Sequence, residues 1–461
     1  MQQESVITPN SGTLREMLSM AAPLIVSFLT YSVMGITDMF IMGSVGTAQQ
    51  GAVGVGAGVS WAVASFFVGT FSAVSTFVAQ YHGAGQRMAL HRWVTTALWL
   101  VLPLFLVFAF LSTSVPFLIR QFGTNEELAP HVIVYTRILL AATPVALFNF
   151  IFVSFFRGIG DTVTPMLVNL VTIVFNILID IVLVFGYLGF PAMGIAGAAT
   201  ASVCAMTLSA FIFAWLYFGR RLSTRFGTRR FLWPDIGHLV HFLRIGVPIG
   251  TSWVIEHVAF SVMTIYVSTS DSVSMAAHAI AFQLNSISFM PAVAISVTGA
   301  TLVGQYLGAN RLDLAMRSAT LCLRFSLAML GVVAVIFLTF KEPLIALFNT
   351  SPEVIEKGSF VLTVVALFQL FDAIGITVDG VFRGAGATVF PMVVRVVNMA
   401  VLFIPFIFIL GHVLDSPLQG AWFAALGAIT LQGVVMLIAY STGKWARPSI
   451  VDSNLLDPNP P

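Results

Sequence analysis

Long apolar stretches recur along this chain of 461 residues, and they constrain its fold more than any other feature. The hydrocarbon core of a bilayer is about 30 Å thick, and a helix of about 20 apolar residues crosses it. Because lipid offers no hydrogen-bond partners to an open backbone, such segments cross the membrane as helices. The sequence therefore predicts an all-α integral membrane protein with twelve transmembrane spans, at 17–43, 52–79, 93–117, 132–155, 163–186, 193–218, 242–268, 275–306, 318–340, 358–381, 388–414 and 418–441.

The composition agrees with a surface that faces mostly lipid. Only 9% of the residues are charged, against roughly 25% in a soluble chain. The net charge of +2 argues against nucleic acid as a partner. The two cysteines, Cys204 and Cys322, lie in apolar segments and can build neither a disulfide framework nor a thiolate metal site. No histidine cluster has metal-ligand spacing, so we expect no metal and no cofactor.

The basic residues predict the orientation, because short loops rich in Lys and Arg stay cytoplasmic. The loops and termini on the side of the N-terminus hold fifteen of them, and the opposite loops hold Arg120, Lys341 and Lys357. Both termini are therefore expected to be cytoplasmic, in a multi-pass protein of the cell (inner) membrane. The first sixteen residues lack the basic region of a signal peptide, so we expect the first span to act as the insertion signal.

An internal repeat divides the chain into two halves. Three motifs recur at an offset of 225 or 226 residues: Ala22-Pro23-Leu24-Ile25 as Val247-Pro248-Ile249-Gly250, Gln80-Tyr81 as Gln305-Tyr306, and Phe156-Arg157-Gly158 as Phe382-Arg383-Gly384. With six spans each, the halves enter from the same side and form parallel repeats, an arrangement common in transporters. We expect an N-lobe at 1–218, a cytoplasmic linker at 219–241, a C-lobe at 242–441 and a cytoplasmic tail at 442–461.

The linker carries five arginines between Arg220 and Arg230. Such a run could bind nucleic acid, but a solvated segment beside anionic lipid is the favoured interpretation.

Acidic residues inside the spans indicate a functional site, because an ionised Asp at a helix centre costs about 2.5–3.5 kcal/mol. In the N-lobe, Asn176 and Asp180 are four residues apart and share one helix face. Asp38 and Thr200, from other spans, could complete an all-oxygen site for a cation or a proton. Structural hydrogen bonding to neighbouring helices is the alternative.

The C-lobe offers a second candidate site, formed by Glu256 and Asp372. His257 and Arg395 are possible local partners, and a purely structural ion pair between Asp372 and Arg395 is the alternative. Asp379 lies four residues before Arg383, a spacing that predicts a simple salt bridge. In span one, Pro23 removes a helical hydrogen bond and could act as a hinge that couples Asp38 to helix bending.

These residues resemble the multidrug and toxic compound extrusion (MATE) family, over roughly residues 14–442. The Phe-Arg-Gly turns and the Asn176-x-x-x-Asp180 spacing agree with it. The most specific pieces are Met34-Gly35-Ile36-Thr37-Asp38, Met42-Gly43, Ala276-Ala277-His278-Ala279-Ile280 and Gly304-Gln305-Tyr306-Leu307-Gly308.

The resemblance implies two six-helix lobes in a V, and export of cationic or amphipathic drugs driven by inward H+ or Na+, which would confer antibiotic resistance. It places Asp38, Asn176, Asp180 and Thr200 at the family's N-lobe cation site, and Glu256 and Asp372 at the acidic pair of one bacterial branch. Phe368 stands where some relatives have Tyr, which weakens the case for sodium there. We expect a monomer.

Other classes fit the sequence less well. A major-facilitator transporter also has six plus six spans, but the loop after span two lacks that family's acidic-basic turn. A lipid-linked oligosaccharide flippase of the same superfamily would be expected to carry several cationic residues for a pyrophosphate, whereas acids dominate here. A membrane-embedded enzyme would need a nucleophile or metal motif, and the sequence contains no HExxH, GxSxG or GxxxxGK[ST]. We therefore expect a transporter that is neither an enzyme nor an ATPase.

Overall fold

Twelve helices in the computed structural model are long and apolar enough to cross a membrane. The structure describes residues 10–121, 127–230, 232–233, 235–446 and 451. Each of the twelve helices overlaps one predicted span, so the predicted fold class is confirmed. Most of the predicted tail, 442–461, lies outside the described residues.

Sixteen α-helical segments and one π-helical segment make up these spans and two short connectors. In the first half they are α1 (Leu14–Gly43), α2 (Thr47–Gly83), α3 (Arg87–Val101), α4 (Leu104–Gln121), α5 (Ala129–Gly158), α6 (Val163–Phe185), α7 (Ile195–Tyr217) and the short α8 (Arg220–Phe226). In the second half they are α9 (Ile236–Val267), α10 (Ser272–Gly308), α11 (Leu312–Thr339), the short α12 (Lys341–Ala346), α13 (Pro352–Gly384), α14 (Val389–Val396), a π-helical segment (Val397–Phe403), α15 (Ile404–Val413) and α16 (Pro417–Ser441).

Two of the predicted spans are interrupted helices. The third span consists of α3 and α4, which are separated at Leu102 and Pro103 because proline cannot continue the hydrogen-bond ladder. The eleventh span consists of α14, the π-helical segment and α15. π-Helical turns are rare and occur often at functional sites.

The chain separates into two compact units. Unit 1 contains residues 1–25, 83–85 and 251–461, and unit 2 contains residues 26–82 and 86–250. Helix α1 thus belongs to unit 1 up to Ile25 and to unit 2 from Val26, and α9 changes from unit 2 to unit 1 after Gly250. Each change lies two residues after a repeated proline, Pro23 in α1 and Pro248 in α9.

This division differs from the boundaries expected from the repeat alone. Met17 and Met20 at the start of α1 pack into a core cluster of unit 1 rather than with the rest of the first half. The expected linker, 219–241, is partly helical and packs on unit 2. Within it, the Thr228 hydroxyl donates to the Tyr217 carbonyl at 2.7 Å, and Arg229 Nε donates to the Phe218 carbonyl at 2.7 Å.

The repeated Phe-Arg-Gly motif marks equivalent close helix contacts in the two halves. A Cβ at Gly158 would lie 3.0 Å from the Ser75 carbonyl oxygen, so α5 approaches α2 as closely as glycine permits. At the repeated position, a Cβ on Gly384 would lie 2.8 Å from Ala300 Cα, between α13 and α10. Ser75 and Ala300 are themselves 225 residues apart. The motif therefore preserves one packing contact in each repeat.

Candidate ion-coupling sites

The N-lobe candidate is a pair of buried aspartates on two helices of unit 2. Asp38, near the end of α1, is 8% exposed, and Asp180, near the end of α6, is fully buried. Their carboxyl groups interact directly with each other. Two ionised carboxylates repel each other and have no hydrogen to share, whereas a single proton or a bound cation between them removes the repulsion. The structure thus brings together two residues that the sequence could only propose.

Asn176 lies one turn before Asp180 on α6 and is fully buried. Within the part of the chain that the structure describes, the side-chain oxygen and nitrogen of Asn176, both Asp180 oxygens and Asp38 Oδ1 lie buried without a conventional donor–acceptor hydrogen bond. Buried polar atoms of this kind cost about 1–3 kcal/mol each when they are left unpaired. Several such atoms on three neighbouring side chains are the pattern expected of a site that receives an ion or a proton.

Tyr135 on α5 is a third neighbour of the two aspartates that the sequence analysis missed. It is 3% exposed and lies close enough to interact electrostatically with both Asp38 and Asp180. Gly56 on α2 makes room for it, because a Cβ there would lie 2.8 Å from Tyr135 Cδ1. Of the glycines in the run 54–58, Gly56 is therefore the one that a neighbouring helix requires.

The depth of each residue along its span could have identified Tyr135. Asp38 and Asp180 lie five residues before the ends of α1 and α6, and Tyr135 lies six residues after the start of α5. With spans of alternating direction, these three positions fall at about the same level of the membrane. At 1.5 Å per residue, this level is roughly 8 Å inside the helix ends.

Thr200 lies at the same level, five residues after the start of α7. Its hydroxyl donates to the Ala196 carbonyl one turn earlier, at 2.7 Å. This bond uses the hydroxyl hydrogen and leaves the oxygen as an acceptor. The expectation that Thr200 joins the N-lobe site stays a prediction.

The C-lobe candidate, in unit 1, contains a cation of its own. Arg395 on α14 donates a short hydrogen bond to Glu256 Oε2 on α9 and forms an ion pair with it. Asp372 on α13 interacts electrostatically with both Glu256 and Arg395. The side chain of Arg395 is 9% exposed and that of Glu256 is 38% exposed. The structural ion pair considered for Asp372 is therefore formed by Glu256 instead.

Two buried amides accompany the C-lobe charges, and the sequence analysis missed both. Gln369 lies three residues before Asp372, and its Nε2 donates to Ser288 Oγ at 3.1 Å. Asn398 lies three residues after Arg395, in the π-helical segment, and its Nδ2 donates to the Ala428 carbonyl at 2.9 Å. A spacing of three residues on each helix was the signal that could have found them.

The remaining expectations for the C-lobe have mixed outcomes. Asp379 and Arg383 form the predicted i,i+4 salt bridge, with Nε and Oδ2 3.0 Å apart. Ser296 on α10 extends it, because Arg383 Nη2 donates to Ser296 Oγ at 3.2 Å. The role of His257 beside Glu256 stays a prediction.

The two sites thus differ in charge. The N-lobe site has two acids that face each other, whereas the C-lobe site has two acids and an arginine. Acids in the membrane interior that lack a counter-charge are the ones expected to bind cations or carry protons.

Comparison with known proteins places these sites in a family. The MatE family model matches residues 23–182 and again residues 248–409, so both halves of the chain match it, and the two matches begin 225 residues apart. The chain belongs to the MatE family. The membership expected from the sequence motifs is therefore confirmed, and MatE proteins are membrane transporters.

Curated relatives support the assignment along most of the chain. The probable multidrug resistance protein NorM of Thermotoga maritima is 28% identical over 443 residues, which cover 95% of this chain and 94% of NorM. The multidrug resistance protein MdtK of Yersinia pestis is 27% identical over 372 residues, which cover 80% of this chain and 81% of MdtK.

Solved structures confirm the MatE fold. A MOP superfamily transporter from Pyrococcus furiosus superposes with a TM-score of 0.85 and 18% identity, covering 93% of this chain and 95% of that one. An outward-facing MATE transporter superposes with a TM-score of 0.84 and 19% identity over the same shares.

Proposed function

We propose that this MatE transporter is a multidrug efflux antiporter, which exports cationic or amphipathic small molecules in exchange for inward H+ or Na+. Its curated relatives are named multidrug resistance proteins, which supports drugs as the cargo. The acidic character of both intramembrane sites supports a cationic rather than an anionic cargo. A lipid pyrophosphate would be repelled by the uncompensated Asp38–Asp180 pair.

The Asp38–Asp180 pair with its unsatisfied polar atoms is the observation that carries the proposal. A proton on either carboxyl lets one aspartate donate to the other, and a cation would instead be held by both aspartates and the Asn176 oxygen. Either ligand relieves the repulsion between the carboxylates. The pair therefore has two electrostatic states that differ by one positive charge, as ion coupling requires.

Pro23 provides a route from this pair to a larger change. It lies in the same helix as Asp38, two residues before α1 changes from unit 1 to unit 2. Proline interiors of helices lack one backbone hydrogen bond and bend readily. We propose that occupation of the aspartate pair alters the preferred bend of α1 at Pro23.

The driving force is sufficient for exchange. One proton that enters at 100 mV supplies about 2.3 kcal/mol, and a monovalent cationic drug that leaves costs the same amount. One-for-one exchange is therefore electroneutral and is driven by the chemical gradient alone.

Efflux from proteoliposomes under separately imposed pH, sodium and voltage gradients tests the proposal. A fluorescent cationic drug should leave in response to a pH or a sodium gradient, and Asp38→Asn should abolish this response because it removes the charge while keeping size and hydrogen bonding. Asp313→Asn is a matched control, since its side chain is 62% exposed and pairs with Arg311 on the surface. Gradient-driven efflux by correctly folded Asp38→Asn protein would refute the coupling role of the pair.

A further inference from the structure

An apolar groove runs along the surface of unit 2 between α3, α5 and α7. One cavity of about 370 Å³ is lined only by apolar residues, namely Leu98, Val145, Phe148, Phe152, Ala210, Ala214 and Phe218. A second cavity of about 420 Å³ shares Leu98, Phe148 and Phe218 with the first and continues it. Both volumes fall in the range of small-molecule pockets, about 300–1,000 Å³.

The surroundings of the groove place it against lipid. Phe211 and Trp215 on α7 are 69% and 70% exposed, and Phe105 on α4 is 39% exposed. Exposed aromatic side chains on a membrane-spanning helix contact acyl chains. The apolar cavity therefore opens where a lipid chain is the nearest occupant.

One end of the groove is basic. The second cavity reaches Thr228, Arg229 and Arg230, which follow α7 and α8, together with Thr95 on α3. Both arginines are exposed, and Nε of Arg229 is fixed by the Phe218 carbonyl at 2.7 Å, so its terminal nitrogens point away from that bond. Five arginines and no acid occur between positions 220 and 230.

The basic end is held in place by span residues. His91 Nε2 lies 2.6 Å from the Arg230 carbonyl, while its Nδ1 lies 2.7 Å from the Tyr217 hydroxyl. Trp99 Nε1 donates to the Leu232 carbonyl at 3.0 Å, and its ring stacks on Trp233 with centroids 5.5 Å apart. These contacts join α3 to a loop more than 130 residues later, so the two arginines sit on a braced backbone. Tryptophans at such a position are typical of the level of the lipid head groups.

We propose that this groove is a binding site for one anionic phospholipid. One acyl chain lies in the apolar part, and the phosphate and the anionic head group lie between Arg229 and Arg230, with the Thr95 and Thr228 hydroxyls nearby. Basic pockets between membrane helices are known to bind such head groups. A cationic drug is disfavoured here because the same two arginines would repel it.

Native mass spectrometry of the delipidated full-length protein tests the site. The probes are phosphatidylglycerol and phosphatidylethanolamine with identical acyl chains. We expect a saturable one-to-one complex with phosphatidylglycerol and weaker retention of phosphatidylethanolamine. Arg229→Gln/Arg230→Gln should weaken phosphatidylglycerol binding roughly thirtyfold, at about one arginine contribution each. The matched control Arg220→Gln/Arg221→Gln removes two exposed arginines of the same run outside the groove and should bind like the parent.

A second variant keeps the test decisive if the arginine variant folds poorly. Ala214→Trp fills the groove while both arginines remain, and it should also lose phosphatidylglycerol. Glycerol phosphate, which has no acyl chain, should fail to compete. Equal retention of the two lipids, an equal loss in both arginine pairs, or competitive displacement by a cationic drug would each overturn the proposal.

Discussion

The guanidinium of Arg395 is hydrogen-bonded to Glu256, although Asp372 lies close enough to interact with both. The C-lobe cluster therefore contains two acids and one permanent cation, because arginine stays protonated in proteins. Its formal charge with both acids ionised is −1, against −2 for the Asp38–Asp180 pair. An internal cation of this kind occupies the place that a transported ion would otherwise take beside Glu256.

A double-mutant cycle should detect this pair. We expect Arg395→Gln to destabilise the protein by about 1–3 kcal/mol, less than a fully buried pair because Glu256 is partly exposed. Adding Glu256→Gln should recover part of that loss, since it removes the unpaired carboxylate, and the coupling should reach at least about 0.5 kcal/mol. Denaturant unfolding in mixed micelles measures all four proteins. Strictly additive effects would mean that the pair contributes nothing.

Cysteine labelling tests the orientation predicted by the asymmetry of basic residues. The structure governs the choice of site, because Phe226 is fully buried, whereas the neighbouring Arg225 and the distant Asp415 are exposed. In a background without Cys204 and Cys322, a cysteine at 225 should resist a membrane-impermeant thiol reagent in intact cells and react after lysis. A cysteine at 415 should react in intact cells. The reverse pattern would invert the topology.

The start of α10 should respond to acid. Asp271 caps this helix, and its hydrogen bonds from Lys357 Nζ at 2.9 Å and from the Ser274 backbone N–H hold its pKa at about 2. The pKa in an unfolded chain is about 3.9. Because the folded pKa is the lower one, this stabilisation is complete above about pH 4 and is lost as the pH falls toward 2.

Asp271→Asn isolates that charge, because asparagine also caps helices. Between pH 5 and pH 3 the melting temperature of the parent should fall further than that of the variant. The difference should be small, no more than about 2 °C, since the ion pair is exposed. Scanning fluorimetry in detergent measures it, and parallel curves for the two proteins would contradict the assigned role of Asp271.

How much the sequence could predict depended on the range of each signal. Span lengths, the repeat and the Asp379–Arg383 salt bridge depend on local spacing, and the structure confirms them. The Asp38–Asp180 contact could be proposed because two charges in lipid need a reason, but their meeting depends on how α1 and α6 pack. Tyr135 and the preference of Arg395 for Glu256 were inaccessible, because each is decided by helix rotation, which span patterns leave undetermined.

The same residues pose the question of which lobe couples transport to the ion. In the N-lobe, Asp38 and Asp180 face each other and their charged neighbours are each other, so an incoming proton or cation supplies the missing positive charge. In the C-lobe, Arg395 already supplies one. We therefore predict that the N-lobe pair dominates coupling.

Two isosteric substitutions separate the lobes. Asp180→Asn should abolish gradient-driven efflux, since a neutral side chain can no longer gain and lose a charge beside Asp38. Asp372→Asn leaves the Glu256–Arg395 pair intact, so coupled efflux should persist, with lower stability or weaker apparent substrate affinity as its main effect. Breaking the balance of a buried charge cluster costs up to about 3–5 kcal/mol, so transport has to be normalised to folded protein in proteoliposomes. If folded Asp372→Asn fails to respond to the gradient while Asp180→Asn still pumps, the roles of the lobes are reversed and Arg395 is a mobile partner of the coupling ion rather than its replacement.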